Sequence, residues 1–345
     1  MAFSAFSSLR ARMSVLAGLA LLGLAAESGA QTAAPRSRFR MHVFPWGTVG
    51  VDVNARGHAV ARDISSYTSY AWRRRLGVQP LAPANGLPWA AVNRLDSTGV
   101  AVGSSRDNGP QVPTIWSPSG VPLALPGAPA GAAVAISDAG VIVGMSDETS
   151  PPSGWMWDAT HGVRPLSDFG LPAGKFVSDL SASGYVVGGG PSSRAFRLDL
   201  STSTYLTLGS ATYSGAYGVN EKGHVVGWFA DASFDVKPFL WTPSGGMQRL
   251  GPLMPSWMFL ETGWAHGLND DGDVVGEIEV STDFYHAFLW SEPQGMRDLN
   301  TLVDGRGPIE LVRARRITDT GWIVGDALDH SVGGAWVGFV LEPLP

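Results

Sequence analysis

Two adjacent apolar residues recur at regular intervals along the chain. They are Ala101/Val102, Ile142/Val143, Val186/Val187, Val225/Val226, Val274/Val275 and Ile323/Val324. Neighbouring residues of a β-strand point to opposite faces, so a strand built this way is buried on both sides. Each pair follows a turn that ends in glycine, and the turn recurs seven times, at Gly57, Gly99, Gly140, Gly184, Gly223, Gly272 and Gly321. Three residues before each glycine stands a polar residue that starts turns: Asn54, Asp96, Ser137, Ser181, Asn220, Asn269 or Thr318. Four before it the residue is always apolar, from Val53 and Leu95 to Leu268 and Ile317. The glycine spacings are 42, 41, 44, 39, 49 and 49. A period of this length marks a repeat architecture.

Within one repeat, a first strand ends at the turn and a second holds the paired apolar residues. A third reads Tyr70-Ala71-Trp72, Thr114-Ile115-Trp116, Trp155-Met156-Trp157, Ala195-Phe196, Pro238-Phe239-Leu240-Trp241 or Ala287-Phe288-Leu289-Trp290. A fourth carries a leucine, at Leu81, Leu123, Leu166, Leu206 and Leu250. Sheets of four short strands, each sandwiched between like sheets, predict an all-β, seven-bladed β-propeller. The last repeat lacks a fourth strand, and residues 39–46 form a lone strand before the first. The simplest assembly completes the last blade with that N-terminal strand, closing the ring and removing an open edge. An open β-solenoid or a pair of sandwiches is the alternative.

The N-terminus follows a different pattern. Arg10 and Arg12 precede an apolar run from Val15 to Ala26, and Ser28-Gly29-Ala30 has the small residues of a cleavage site. That is a secretory signal peptide. Its run of about 12 residues is short of the roughly 20 that a span needs. The expected organisation is a signal peptide over 1–30, a disordered leader over 31–38 and the propeller over 39–345. The protein is expected to be secreted or periplasmic, monomeric and without a membrane span after cleavage. A net charge of −6 gives no positive footprint for nucleic acid. The absence of cysteine excludes disulfides and thiolate chemistry.

The pattern Ala-x-Gly-Leu-Asn, then Gly, then Val-Val-Gly, then His286-Ala287-Phe288-Leu289-Trp290 resembles the HAF-repeat family of bacterial extracellular proteins. Arg194-Ala195-Phe196 and Lys237-Pro238-Phe239 are degenerate copies, and one repeat has Ala61 where the others have the second glycine. The resemblance covers residues 46–345 and implies an exported, propeller-like protein. It implies no catalytic residues.

Hydrolase, zinc-peptidase and nucleotide-binding motifs are absent. Asn269-Asp270-Asp271-Gly272-Asp273 superficially resembles a calcium loop but lacks the spacing to a bidentate glutamate, so it reads as an acidic turn. No metal or cofactor is expected. Two departures from the repeat suggest a site. Five and six residues before the turn glycine the positions vary and are often polar, which places Asp52, Arg94, Asp179 and Arg316 in a polar ring lining the central channel. That ring is either a structural ion-pair network or a site. The last two spacings are also long, and the insert at 251–261 holds Trp257 and Phe259. Trp228-Phe229 and Phe284-Tyr285 are assigned to loops on the same face. Clustered aromatics on loops suggest binding. The expected reading is a binding or scaffold module, with a glycan or peptide ligand near Trp228, Trp257, Phe259, Trp264, His266 and Arg315. The alternatives are a secreted hydrolase or lyase using channel carboxylates such as Asp52 and Asp179, and a purely structural surface protein.

Overall fold

The structure is a computed structural model that describes residues 38–148, 150–190, 193–253 and 262–345. The expected signal peptide and leader, and Trp257 and Phe259, lie outside the described residues except for Arg38. The described chain is all-β apart from short 3-10 turns. Every strand pairing is antiparallel.

Each repeat folds as the apolar pattern requires. In the first, Thr48–Val53, Ala59–Asp63, Ser69–Arg73 and Gly77–Leu81 pair in sequence order. Repeats two, three and six form similar four-stranded sheets, while repeats four and five are joined into one sheet where Gly189 pairs Gly215. In the last sheet Phe39–Trp46 lies beside Ala335–Pro343 as its outer strand. His42 and Arg74 hold Glu342 there at 3.0 and 2.9 Å.

The core lies between sheets rather than within any one of them. Val51, Val60 and Leu81 of repeat one meet Leu95 and Trp116 of repeat two. Val275 and Leu289 of repeat six meet Leu311 and Phe339 of repeat seven. Trp322, Val324 and Val340 of the last sheet pack on Val53, Ala59 and Trp72 of the first. This is why both residues of each apolar pair are buried.

The fourth strands need a correction. Leu123 and Leu206 are exposed, and the buried leucines of those repeats are Leu125 and Leu208. The buried residue sits just past the strand, where Leu125 and Leu208 donate backbone N–H bonds to Pro113 and Ala195. The equivalent Leu250 does the same to Pro238. Trp228-Phe229 and Phe284-Tyr285 also differ from expectation. They lie in strands Val225–Ala230 and Phe284–Ser291, because the second and third strands extend further than the sequence suggests.

The turns are alike in all seven repeats. The polar first residue accepts from the turn glycine and donates to the residue after it, as in Gly57 to Asn54 (2.8 Å) and Asn54 to His58 (2.9 Å). The glycine takes positive φ, from 69° at Gly223 to 94° at Gly99, the left-handed residue that closes a three-residue hairpin loop. The polar side chains do more than start turns, because several cross to the next repeat. Asn54 Nδ2 donates to the Asp96 carbonyl at 2.9 Å and Asn220 Nδ2 to that of Asn269 at 3.0 Å. Carboxylates of Asp138, Glu221, Asp270 and Asp319 accept backbone N–H groups from the preceding turn at 2.7–3.0 Å. The acidic segment Asn269–Asp273 is one of these turns, with its Asp270 carboxylate bound to the Glu221 amide.

Candidate functional site

Every inner strand carries a β-bulge at the same place, six residues before the turn glycine. The unpaired residues are Val51, Asn93, Val134, Ser178, Tyr217, His266 and Arg315. The second glycine of the repeat explains how the bulge is tolerated. It lies opposite the residue before the bulge, where a Cβ on Gly276 would run into the Trp264 carbonyl oxygen and one on Gly103 into that of Ala91. In repeat one the residue types are exchanged: Ala61 stands on the second strand and pairs with Gly50 on the first.

The bulge redirects side chains, as bulges beside sites commonly do. Six of the seven bulge residues, all but Val134, line one cavity of about 570 Å³ at the centre of the inner strands. Residues eight before the turn glycine pair with residues five after it, and members of these pairs complete the wall: Trp264 and Glu277, which pair with each other, and Arg62, the partner of Val49. Arg313 and Tyr285 also line it.

The four residues of the expected polar ring meet one another. Asp179 Oδ1 is 3.2 Å from both Arg94 Nε and Arg316 Nη2, and Arg316 Nε is 4.0 Å from Asp52. Each carboxylate also reaches into the next repeat, Asp52 accepting from the Leu95 amide at 2.9 Å and Asp179 from the Val219 amide at 3.2 Å. Arg316 donates to the His266 carbonyl at 3.0 Å. The network thus ties repeats across the axis. Burial pushes Asp52 and Asp179 up to about 6, against the opposing pull of Arg94. Arg94 and Arg316 face the cavity, whereas the two aspartates are buried and are not part of its lining.

Above that floor the cavity is asymmetric. His266 Nε2 is 3.0 Å from Glu277 Oε1, and Arg313 Nε is 2.8 Å from the same oxygen. Burial alone would raise the Glu277 pKa, but hydrogen bonds from His266 and Arg313 hold it at about 2. An ionised Glu277 only accepts, so Nε2 carries the proton. Burial lowers the His266 pKa despite Glu277. The lowered pKa favours the neutral imidazole, in which Nδ1 is an acceptor. Tyr217 stacks on His266 at 5.2 Å and Trp264 meets Tyr285 at 5.8 Å. Burial, then the charges of Glu279, Glu277 and Asp283, push Tyr285 up to about 12. On the other side, Arg315 holds Asp326 with Nε and Nη2 at 3.0 and 2.7 Å.

Of the expected ligand residues, Trp264, His266 and Arg315 therefore share the cavity. Trp228 is outside its lining and bonds the Tyr217 side chain. Sequence reasoning missed Arg62 and Arg313 and gave Glu277 no part in the site. All three lie at positions that alignment on the turn glycine would reach, five residues after it or eight before. Among the described residues no cluster of three His, Asp or Glu could hold a metal ion, and no helix is long and apolar enough to cross a membrane.

No protein-family model matches this chain, and no curated protein matches it. Solved structures do. A catalytically inactive virginiamycin B lyase from Staphylococcus aureus with Quinupristin is 13% identical, with a TM-score of 0.56 over 88% of this chain and 100% of that one. An oligogalacturonate lyase in complex with manganese is 10% identical, with a TM-score of 0.56 over 89% and 97%. The Swd1 β-propeller domain of Myceliophteria thermophila is 10% identical, with a TM-score of 0.53 over 89% and 100%. At these identities the likeness is one of fold, and the fold is of the β-propeller type.

Proposed function

We propose that this chain is an exported seven-bladed β-propeller, closed by its N-terminal strand, that binds a small ligand in the mouth of its central channel. The exported compartment rests on the signal-peptide pattern of residues 1–30, and the kinship with HAF repeats on the motif around His286. The observation that carries the binding reading is the cavity of about 570 Å³, whose wall from repeats five and six is aromatic: Tyr217, Trp264 and Tyr285. A concave site with aromatic faces and a few converging polar groups suits a small ligand, and flat rings suit a sugar or peptide. A glycan and peptide array with the mature chain tests this. Binding to a defined subset, reduced roughly 30-fold or more by Trp264→Ala, is the expected outcome. No binding in any spot removes the reading.

A second reading is a hydrolase or lyase. It is favoured by His266, a neutral imidazole oriented by Glu277 inside the cavity, which is the arrangement of a general base. Turnover of a bound ligand, lost in His266→Ala while binding persists, would select it.

A further inference from the structure

Five guanidinium groups line the central cavity: Arg62, Arg94, Arg313, Arg315 and Arg316. Four of them are engaged. Arg94 and Arg316 hold Asp179, Arg313 holds Glu277, and Arg315 holds Asp326. The Arg62 side chain has no hydrogen bond or ion pair among the described residues, and the residue is half-buried. The carboxylates that face these arginines are four, Asp52, Asp179, Glu277 and Asp326, so one positive charge is left over. Burial, and after it the charge of Arg315, lower the pKa of Arg62. A guanidinium without a protein partner is a fork shaped for a carboxylate.

Arg62 also lines a second cavity, of about 340 Å³, with Tyr67, Trp89, Arg106 and Gln111. The Tyr67 and Trp89 rings are 6.0 Å apart, and the Arg106 guanidinium lies 4.7 Å from the Tyr67 centroid. Tyr67 is exposed and has a φ of 55°, a backbone conformation that costs energy in a non-glycine residue and clusters at binding sites. The two cavities thus share Arg62 as a wall, with aromatic rings on either side: Trp264 and Tyr285 in one, Tyr67 and Trp89 in the other.

We propose that Arg62 anchors the carboxylate of an acidic oligosaccharide that runs from the central cavity into the Tyr67–Trp89 cleft. Successive sugar rings would pack on the two aromatic faces, and a carboxylate takes the unpaired charge of Arg62. The acidic wall of Glu277, with Glu279 and Asp283 close to Tyr285, turns the carboxylate away from repeat six and toward repeat one. This inference rests on the binding reading above and names the ligand class of that same site.

The test is titration of the mature chain with a uronic-acid trisaccharide and with its carboxyl-reduced, neutral counterpart. A peptide with a free C-terminal carboxylate and its amide form are the comparison arm. The acid is expected to bind about 10–100-fold more tightly than the neutral sugar. Arg62→Gln should bring the acid down to the level at which the same variant binds the neutral sugar, with the melting temperature no lower. Equal binding of the two sugars, or an Arg62→Gln variant that binds the acid normally, overturns the proposal. If such binding still depends on Trp264, the broader reading stands. Silence from both sugars, with or without capture of the peptide, also overturns the acidic-sugar assignment. Silence from the peptide as well counts against the binding site itself.

Discussion

At the turn end of the inner strands, Asp138, Glu221, Asp270 and Asp319 each take a backbone amide of the neighbouring turn. At the other end the corresponding ring of bulge positions holds Asn93, Ser178, Tyr217, His266 and Arg315 beside two valines, Val51 and Val134. Both ends belong to the same strands, a few residues apart. The turn end encloses about 210 Å³ and is lined by repeated polar residues satisfied by each other. The bulged end encloses about 570 Å³ and carries a free guanidinium, a neutral histidine and stacked rings. The difference teaches that repetition here serves cohesion, while recognition is left to the positions that the repeat releases. The bulge is what releases them, because it leaves one residue of every inner strand outside the ladder.

Arg316 sits between the two ends, so changing it tests the division most severely. Arg316→Ala leaves the buried Asp52 without an ion pair and Asp179 with Arg94 alone, and removes the bond to the His266 carbonyl. Breaking a buried ion pair costs about 3–5 kcal/mol, and denaturant unfolding should show a loss of that size. A variant as stable as the parent would mean that the network spans the channel without holding it. Asn220→Ala comes next. It removes the side-chain oxygen that accepts the Lys222 and His224 backbone N–H groups, and the bond to the Asn269 carbonyl. The expected loss is about 1–3 kcal/mol, with ligand affinity untouched. A change in affinity at unchanged stability would break the contrast between the ends.

The smallest effect is expected at His286. Its hydrogen bond to Asp298 at 2.7 Å, and then Glu310, raise its pKa. A histidine raised by folding stabilises fully below its unfolded value, near 6.5, and loses that contribution as pH rises through the folded value. His286→Gln should flatten this part of the stability-against-pH curve. An unchanged curve would show that the contact of repeats six and seven does not depend on charge at His286. The same position carries the one literal His-Ala-Phe, so the result also tests what that histidine contributes to the fold.

Much of the architecture could be read from residues alone, for a physical reason. Adjacent buried pairs such as Val274/Val275 exclude a one-sided sheet, and turn glycines report a backbone conformation directly. The polar ring was legible because charge at Asp52, Arg94, Asp179 and Arg316 stands out against apolar neighbours. The fourth-strand leucines were misjudged because two leucines lie two residues apart in repeats two and four, and only the edge hydrogen bond decides which is buried. Arg62 and Arg313 escaped notice because a bulge shifts which residues share a face. Strict alternation therefore gives the wrong neighbours beyond it. Nothing in a single repeat announces that Arg62 lacks a partner. That emerges only when repeats one and seven are placed side by side.

The pairing of Phe39–Trp46 with Ala335–Pro343 has a consequence for the order of events as the chain is made. A strand near residue 40 finds its partner only after some 300 further residues have appeared. Contacts so distant in sequence slow folding. Until then one sheet edge has nothing to bind, and edges of that kind recruit other chains. The newly made strand must therefore be kept from strangers for a long interval. Removing residues 38–46 would make that interval permanent, leaving a finished fold with one adhesive flank.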